Sequence, residues 1–174
     1  MEINYVRGDI IHLAKEGNYE VIAHGNNCFC NQDRGVAKHF ANAFRTNDPS
    51  VYKLEDQRFK GDINKLGQIE SRKHVWDIDQ LGSKPSKSVY VVNAYTQYRY
   101  GNQEVHVDYD AIRLCFRKIN HRFKGKHIGL PMIGAGLAKG DWVVIERIIQ
   151  QEFKDCAVTI VEYERKRNTT RSDA

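Results

Sequence analysis

Gly129-Leu130-Pro131-Met132-Ile133-Gly134-Ala135-Gly136-Leu137-Ala138-Lys139-Gly140-Asp141-Trp142 is the stretch whose reading decides how this chain folds. An apolar run, three spaced glycines and an aspartate before a new apolar-periodic segment read as a buried strand end, a glycine-rich loop and the start of an amphipathic helix. Glycines admit φ > 0 and let the backbone approach a ligand closely, and the first turn of a helix turns unpaired N–H groups and a positive dipole end toward an anion. The stretch is therefore either a phosphate loop or simply a tight strand-to-helix connection. The spacing Gly134-x-Gly136-x-x-x-Gly140 is one residue longer than the dinucleotide fingerprint, and no Gly-Lys-Ser/Thr follows as in a P-loop. A hydride-transfer dinucleotide enzyme is not expected.

Outward from this loop, residues 126–131 are the preceding strand, and the following helix turns Trp142, Ile145, Ile148, Ile149 and Phe153 inward before a last strand over 157–163. Residues 108–123 form an amphipathic helix with Ile112, Cys115, Phe116 and Ile119 on one side. Two more apolar strands end in polar residues: Val21 to Ala23 runs into His24-Gly25-Asn26-Asn27, and Val89 to Val92 runs into Asn93. The pattern predicts further strands over 2–6 and 67–76, a short helical turn near 10–14, and helices over 36–45 and 49–58, the latter opened by Asp48 and Pro49. Residues 77–88 read as a polar, hairpin-like excursion. The succession implies a mixed sheet with helices on both faces, whose ligand lies beyond the carboxyl ends of the strands.

The 174 residues suit one domain with its own core, and 41% hydrophobic with 28% charged residues is globular composition. No apolar run reaches the roughly 18 residues of a membrane span, and the N-terminus shows no signal pattern, so no membrane association and a cytoplasmic location are expected. Net charge is +5, of which the residues after Tyr163 hold four basic and two acidic side chains, leaving +3 for the rest. That suits an anionic small molecule and argues weakly for nucleic acid. Cys28, Cys30, Cys115 and Cys156 are too few and too irregular for a disulfide framework. His24-x-x-x-Cys28-x-Cys30 is poorly spaced for zinc, with no evident fourth ligand, so no metal or cofactor is expected.

Gly8-Asp9-Ile10, then Val-Ile-Ala-His24-Gly-Asn-Asn27-Cys, Gly35-Val-Ala, Asn93-Ala-Tyr-Thr-Gln97, and Leu-Pro131-Met-Ile-Gly-Ala-Gly136-Leu-Ala with Asp141-Trp142 occur in one order along residues 1–167. This set resembles the macrodomain family, in the branch of ADP-ribose 1″-phosphate phosphatases and deacylating ADP-ribosyl hydrolases. The resemblance implies a three-layer α/β/α fold with a central mixed, mostly parallel six-stranded sheet over 1–167, and the polar residues 168–174 read as a disordered tail. It implies a monomer that binds ADP-ribose or its 1″-phosphate. Asp9 would receive the adenine amino group, with Gly8 and the backbone of Ile10 beside it and Tyr163 flanking the ring. Gly134, Ala135, Gly136, Leu137 and Ala138 would wrap the diphosphate, opposite Arg34, Gly35 and Val36. Asn27 would hold the distal ribose with Asn26, and Asn93, Thr96, Pro131 and Ile133 would complete the cleft.

Two departures from the family pattern bear on chemistry. Gln32-Asp33-Arg34 stands where the first phosphate loop is usually glycine-rich, and Ala138 stands where Lys/Asp hydrolases carry their catalytic aspartate. The resemblance then favours hydrolysis of ADP-ribose 1″-phosphate, with His24 as acid or base, Asn27 fixing the sugar and Asp33 positioning water. The alternatives are an ADP-ribosyl hydrolase acting on protein or nucleic acid and a non-catalytic reader. His24 could equally be a structural residue, hydrogen-bonded at a strand end. Asp9 likewise could be the cap of the first helical turn.

Overall fold

The computed structural model describes residues 2–52, 60–76, 81, 86–101 and 104–164. The elements in chain order are β1 (Asn4–Gly8), α1 (Ile10–Lys15), β2 (Val21–Asn27), α2 (Gly35–Phe44), α3 (Pro49–Tyr52), β3 (Ile69–Trp76), β4 (Lys87–Gln97), α4 (Tyr109–Arg122), β5 (His127–Leu130), α5 (Trp142–Glu152) and β6 (Ala157–Tyr163). The six strands form one sheet in the order β1-β6-β5-β2-β4-β3, and every pairing is parallel except β3 with β4. This is the mixed, mostly parallel sheet the sequence implied.

Alternation along the strands divides two cores between the two faces. Val21 and Ala23 point to one face with Ile112, Phe116, Ile119, Ile145 and Ile149 of α4 and α5, while Ile22 points to the other with Phe40 and Phe44 of α2. Strands buried on both faces need apolar residues at consecutive positions, which is why Val21-Ile22-Ala23 is an unbroken run. The helices bury the faces their spacing predicts, and Asp9, Asp108 and Asp141 cap α1, α4 and α5.

Several boundaries differ from expectation for physical reasons. β1 runs on to Gly8 because it pairs with β6 to the end, setting Gly8 opposite Tyr163. Strand β4 begins at Lys87, inside the expected excursion, because Trp76 pairs with Lys87. Of the helix expected over 49–58, Pro49–Tyr52 is helical, and its continuation over 53–59, most of the excursion and the tail lie outside the described residues. Among the described residues no helix is long and apolar enough to cross a membrane.

Candidate functional site

The polar ends of β2 and β4 and the loop after β5 meet the start of α2 around a cleft of about 700 Å³. Its floor is Gly25, Asn26 and Asn27 from β2 with Thr96 and Gln97 from β4. One wall is residues 131–134 and 136–138, and the other runs from Asp33 to Ala37. The two walls nearly meet where a Cβ on Gly35 would lie 3.2 Å from Leu137 Cδ1. Volume and position are those of a small-molecule site in an open α/β sheet.

Two buried groups on this floor have no hydrogen-bond partner among the described residues: Asn26 Nδ2 and Thr96 Oγ1. Asn26 Oδ1 accepts the Asn27 backbone N–H at 2.9 Å, which fixes the amide orientation and leaves the NH₂ as the unpartnered end. A buried polar group without a partner costs about 1–3 kcal/mol, so each can still take one. The start of α2 is equally bare. Arg34 supplies no side-chain cap, and Gly35 at φ 61° turns the chain into the helix beside the cleft. Opposite, Gly136 has nothing within 4 Å of where a Cβ would stand, so packing does not require glycine there.

A second hollow of about 30 Å³ adjoins the first, sharing Val36 and Pro131 with it. Gly8, Asp9, Ile10, His39 and Tyr163 line it. Asp9 Oδ1 caps α1, accepting from Ile11 N at 2.9 Å and His12 N at 3.3 Å. The capping reading of Asp9 therefore holds, and its second oxygen is not used by the cap.

No protein-family model matches the chain. An uncharacterized 17.5 kDa protein from the tk-vs intergenic region of Enterobacteria phage T4 is 31% identical over 168 residues, covering 94% of this chain and 98% of that protein. The macrodomain of Thermus aquaticus DarG superimposes with a TM-score of 0.62 at 20% identity, covering 94% of this chain and 99% of that one. Thermosipho africanus DarTG, solved in complex with ADP-ribose, gives a TM-score of 0.65 at 16% identity over 91% of this chain and 41% of its own. The chain belongs to the family of the phage protein and has the macrodomain fold.

Within this macrodomain the predicted site residues divide sharply. Asn26, Asp33, Arg34, Gly35, Val36, Thr96, Pro131, Ile133, Gly134, Gly136, Leu137 and Ala138 line the large cleft, and Gly8, Asp9, Ile10 and Tyr163 the small hollow. Ala135 is not on the wall; its N–H closes a turn onto Met132 O at 3.2 Å. His24 and Asn93 are not on it either. His24 is 1% exposed, faces α2 with its ring 4.6 Å from that of Phe40, and sets Nε2 2.5 Å from Asn93 Oδ1 and Nδ1 3.1 Å from Gly25 O. Burial drives its pKa down to about 4, against the opposing pull of the two oxygens. A neutral imidazole sealed behind the floor exchanges no proton with a ligand, which corrects its assignment as acid or base.

Asn93 continues the same network, donating to Thr46 O at 2.9 Å, while Thr46 Oγ1 donates to Gln32 Oε1 at 2.6 Å. Its role is structural, not contact with a ligand. Asn27 also lines the cleft, with its amide partly engaged: Nδ2 donates one N–H to Asn31 O, and Oδ1 accepts from Phe29 N and Asn31 N. Burial pushes the Cys28 thiol up to about 11, so it is not a ready thiolate at neutral pH. Tyr100 joins the cleft while Tyr98 donates to Gly61 O at 2.7 Å, which separates the two loop tyrosines. His39 was not legible as a site residue, although its i+3 spacing from Val36 on α2 places both on one helix face.

Proposed function

We propose that the cleft binds ADP-ribose, with adenine in the small hollow, the diphosphate between the start of α2 and residues 134–138, and the distal ribose against Asn26 and Thr96. The observation that supports this reading is the pair of buried, unpartnered groups, Asn26 Nδ2 and Thr96 Oγ1, on two residues that line the cleft. The uncapped start of α2 supplies N–H groups and a positive dipole end to the diphosphate. Asp9 presents the oxygen its cap leaves over to an exocyclic amine, with the backbone of Ile10 beside it. ADP-ribose held by a protein of the same fold, DarTG, supports the choice of ligand.

The reaction we propose is hydrolysis of ADP-ribose 1″-phosphate. Water attacks phosphorus, the bond from phosphorus to the 1″ oxygen breaks, and Asp33, an exposed carboxylate on the cleft wall, takes the proton of the attacking water. The departing sugar oxygen takes a proton from solvent, and Arg34 balances phosphate charge. Phosphate release from ADP-ribose 1″-phosphate, measured beside calorimetry on ADP-ribose, tests both steps. Micromolar binding with phosphate formed by the wild type and about 100-fold less by Asp33→Asn is the expected result. Binding without phosphate would remove the phosphatase activity and leave a reader or a hydrolase of macromolecular ADP-ribose. No binding would remove the ligand.

A further inference from the structure

The small hollow has room for a water molecule or two, at about 30 Å³, and a purine enters only if part of its lining moves. Ile10 and Val161 belong to the core, and Asp9 is tied to α1 by its capping bonds. His39 and Tyr163 differ from these. Both are exposed, neither side chain has a hydrogen bond among the described residues, and their rings lie nearly parallel, at 21°, with centroids 6.2 Å apart. A base between two rings needs van der Waals contact on each side, about 7–8 Å in all. The ring centroids are about 1–2 Å short of that separation.

We propose that His39 is a second stacking residue of the adenine end, so that the base enters between the His39 imidazole and the Tyr163 phenol and is held on both faces. This rests on the ADP-ribose reading. One rigid helix then serves two parts of the ligand: the first turn of α2 meets the diphosphate, and its next turn carries the ring over the base. That spacing fixes the distance between phosphate and base, which selects an adenosine diphosphate group over a bare sugar phosphate.

The test is titration of wild type, His39→Ala and His39→Phe with ADP-ribose, AMP and ribose 5-phosphate, with proton NMR of the histidine rings during AMP addition. His39→Ala should weaken ADP-ribose and AMP by about 5-fold or more, and leave ribose 5-phosphate unchanged. His39→Phe should restore binding to within about 2-fold, because a second aromatic face is what the site uses. In the wild type the His39 ring protons should move upfield as the base stacks on them. The proposal is overturned if His39→Ala binds AMP as the wild type does, or loses ribose 5-phosphate equally. A wild type that binds no ADP-ribose removes the ligand reading and this one together, whereas equal ADP-ribose binding by wild type and His39→Ala removes only the second ring.

Discussion

The floor of the cleft and the layer directly behind it are built from the same residue types and do opposite things. Behind the floor, His24, Asn93, Thr46 and Gln32 form a buried chain of hydrogen bonds joining β2, β4, the turn after α2 and the loop before it. On the floor, Asn26 and Thr96 are equally buried, and each leaves a polar atom bare. A buried amide with its partners is scaffold, whereas one missing a partner is, in the function proposed above, a place for a ligand. The layer behind also holds the loop before α2 by the Gln32 side chain.

Breaking the rear layer should produce the largest effects, and on stability. Asn93→Ala strips partners from the His24 ring and from Thr46 O, and should cost about 3 kcal/mol or more in urea unfolding. The molecules still folded should bind ADP-ribose within a few-fold of wild type. A variant that stays stable but loses binding would reverse the division between the layers.

His24 gives the same layer a pH signature. Its folded pKa of about 4 lies below the ordinary 6.5, so between these values the unfolded chain binds a proton that the folded one excludes. Stability from this residue is complete above pH 6.5 and falls by about 3 kcal/mol as pH drops to about 4. Denaturation across that range should show a flatter slope for His24→Gln than for wild type. Equal slopes would mean the imidazole titrates freely in the fold.

The wall loop allows the comparison within one stretch. Gly134 has φ 79°, and a Cβ there would lie 2.9 Å from Val107 Cγ2, so Gly134→Ala should cost about 1–3 kcal/mol of stability. Gly136→Ala meets open space and should leave unfolding unchanged while weakening ADP-ribose. Thr96→Val is the smallest change and the sharpest in sign. Removing an unpartnered hydroxyl should hold stability or raise it by up to about 1 kcal/mol, yet weaken ADP-ribose by about 2- to 10-fold. Loss of stability in Thr96→Val would show that the hydroxyl has a partner inside the protein.

Much of the architecture was legible because it rests on periodicity. The unbroken apolar run of β2 and the i, i+3, i+4 spacing of α4 and α5 each admit one element, and the polar strand ends marked where a cleft would open. What could not be read was which polar residue at a strand end faces the cleft. His24 and Asn93 are paired neighbours on β2 and β4, and both meet partners brought by α2 and the turn after it, a placement that depends on tertiary packing. The engagement of the Asn27 amide has the same origin, because the loop after β2 folds back onto it. The opening loop lines the cleft, but the helix that follows it is capped by its own aspartate. Asp141 caps α5 beyond the cleft, and the helix start without a side-chain cap is that of α2.

The central claim, that the bare groups on the floor are the ligand's and the paired ones behind it are the fold's, is tested most directly by following side-chain amides in a nitrogen-15 NMR titration with ADP-ribose. The Asn26 NH₂ signals should move strongly, together with the backbone N–H signals of Gly35, Val36 and Gly136, while the NH₂ signals of Asn27 and Asn93 stay close to their free positions. Large shifts at Asn27 and Asn93 with Asn26 unmoved, or no response to ADP-ribose at all, would contradict it.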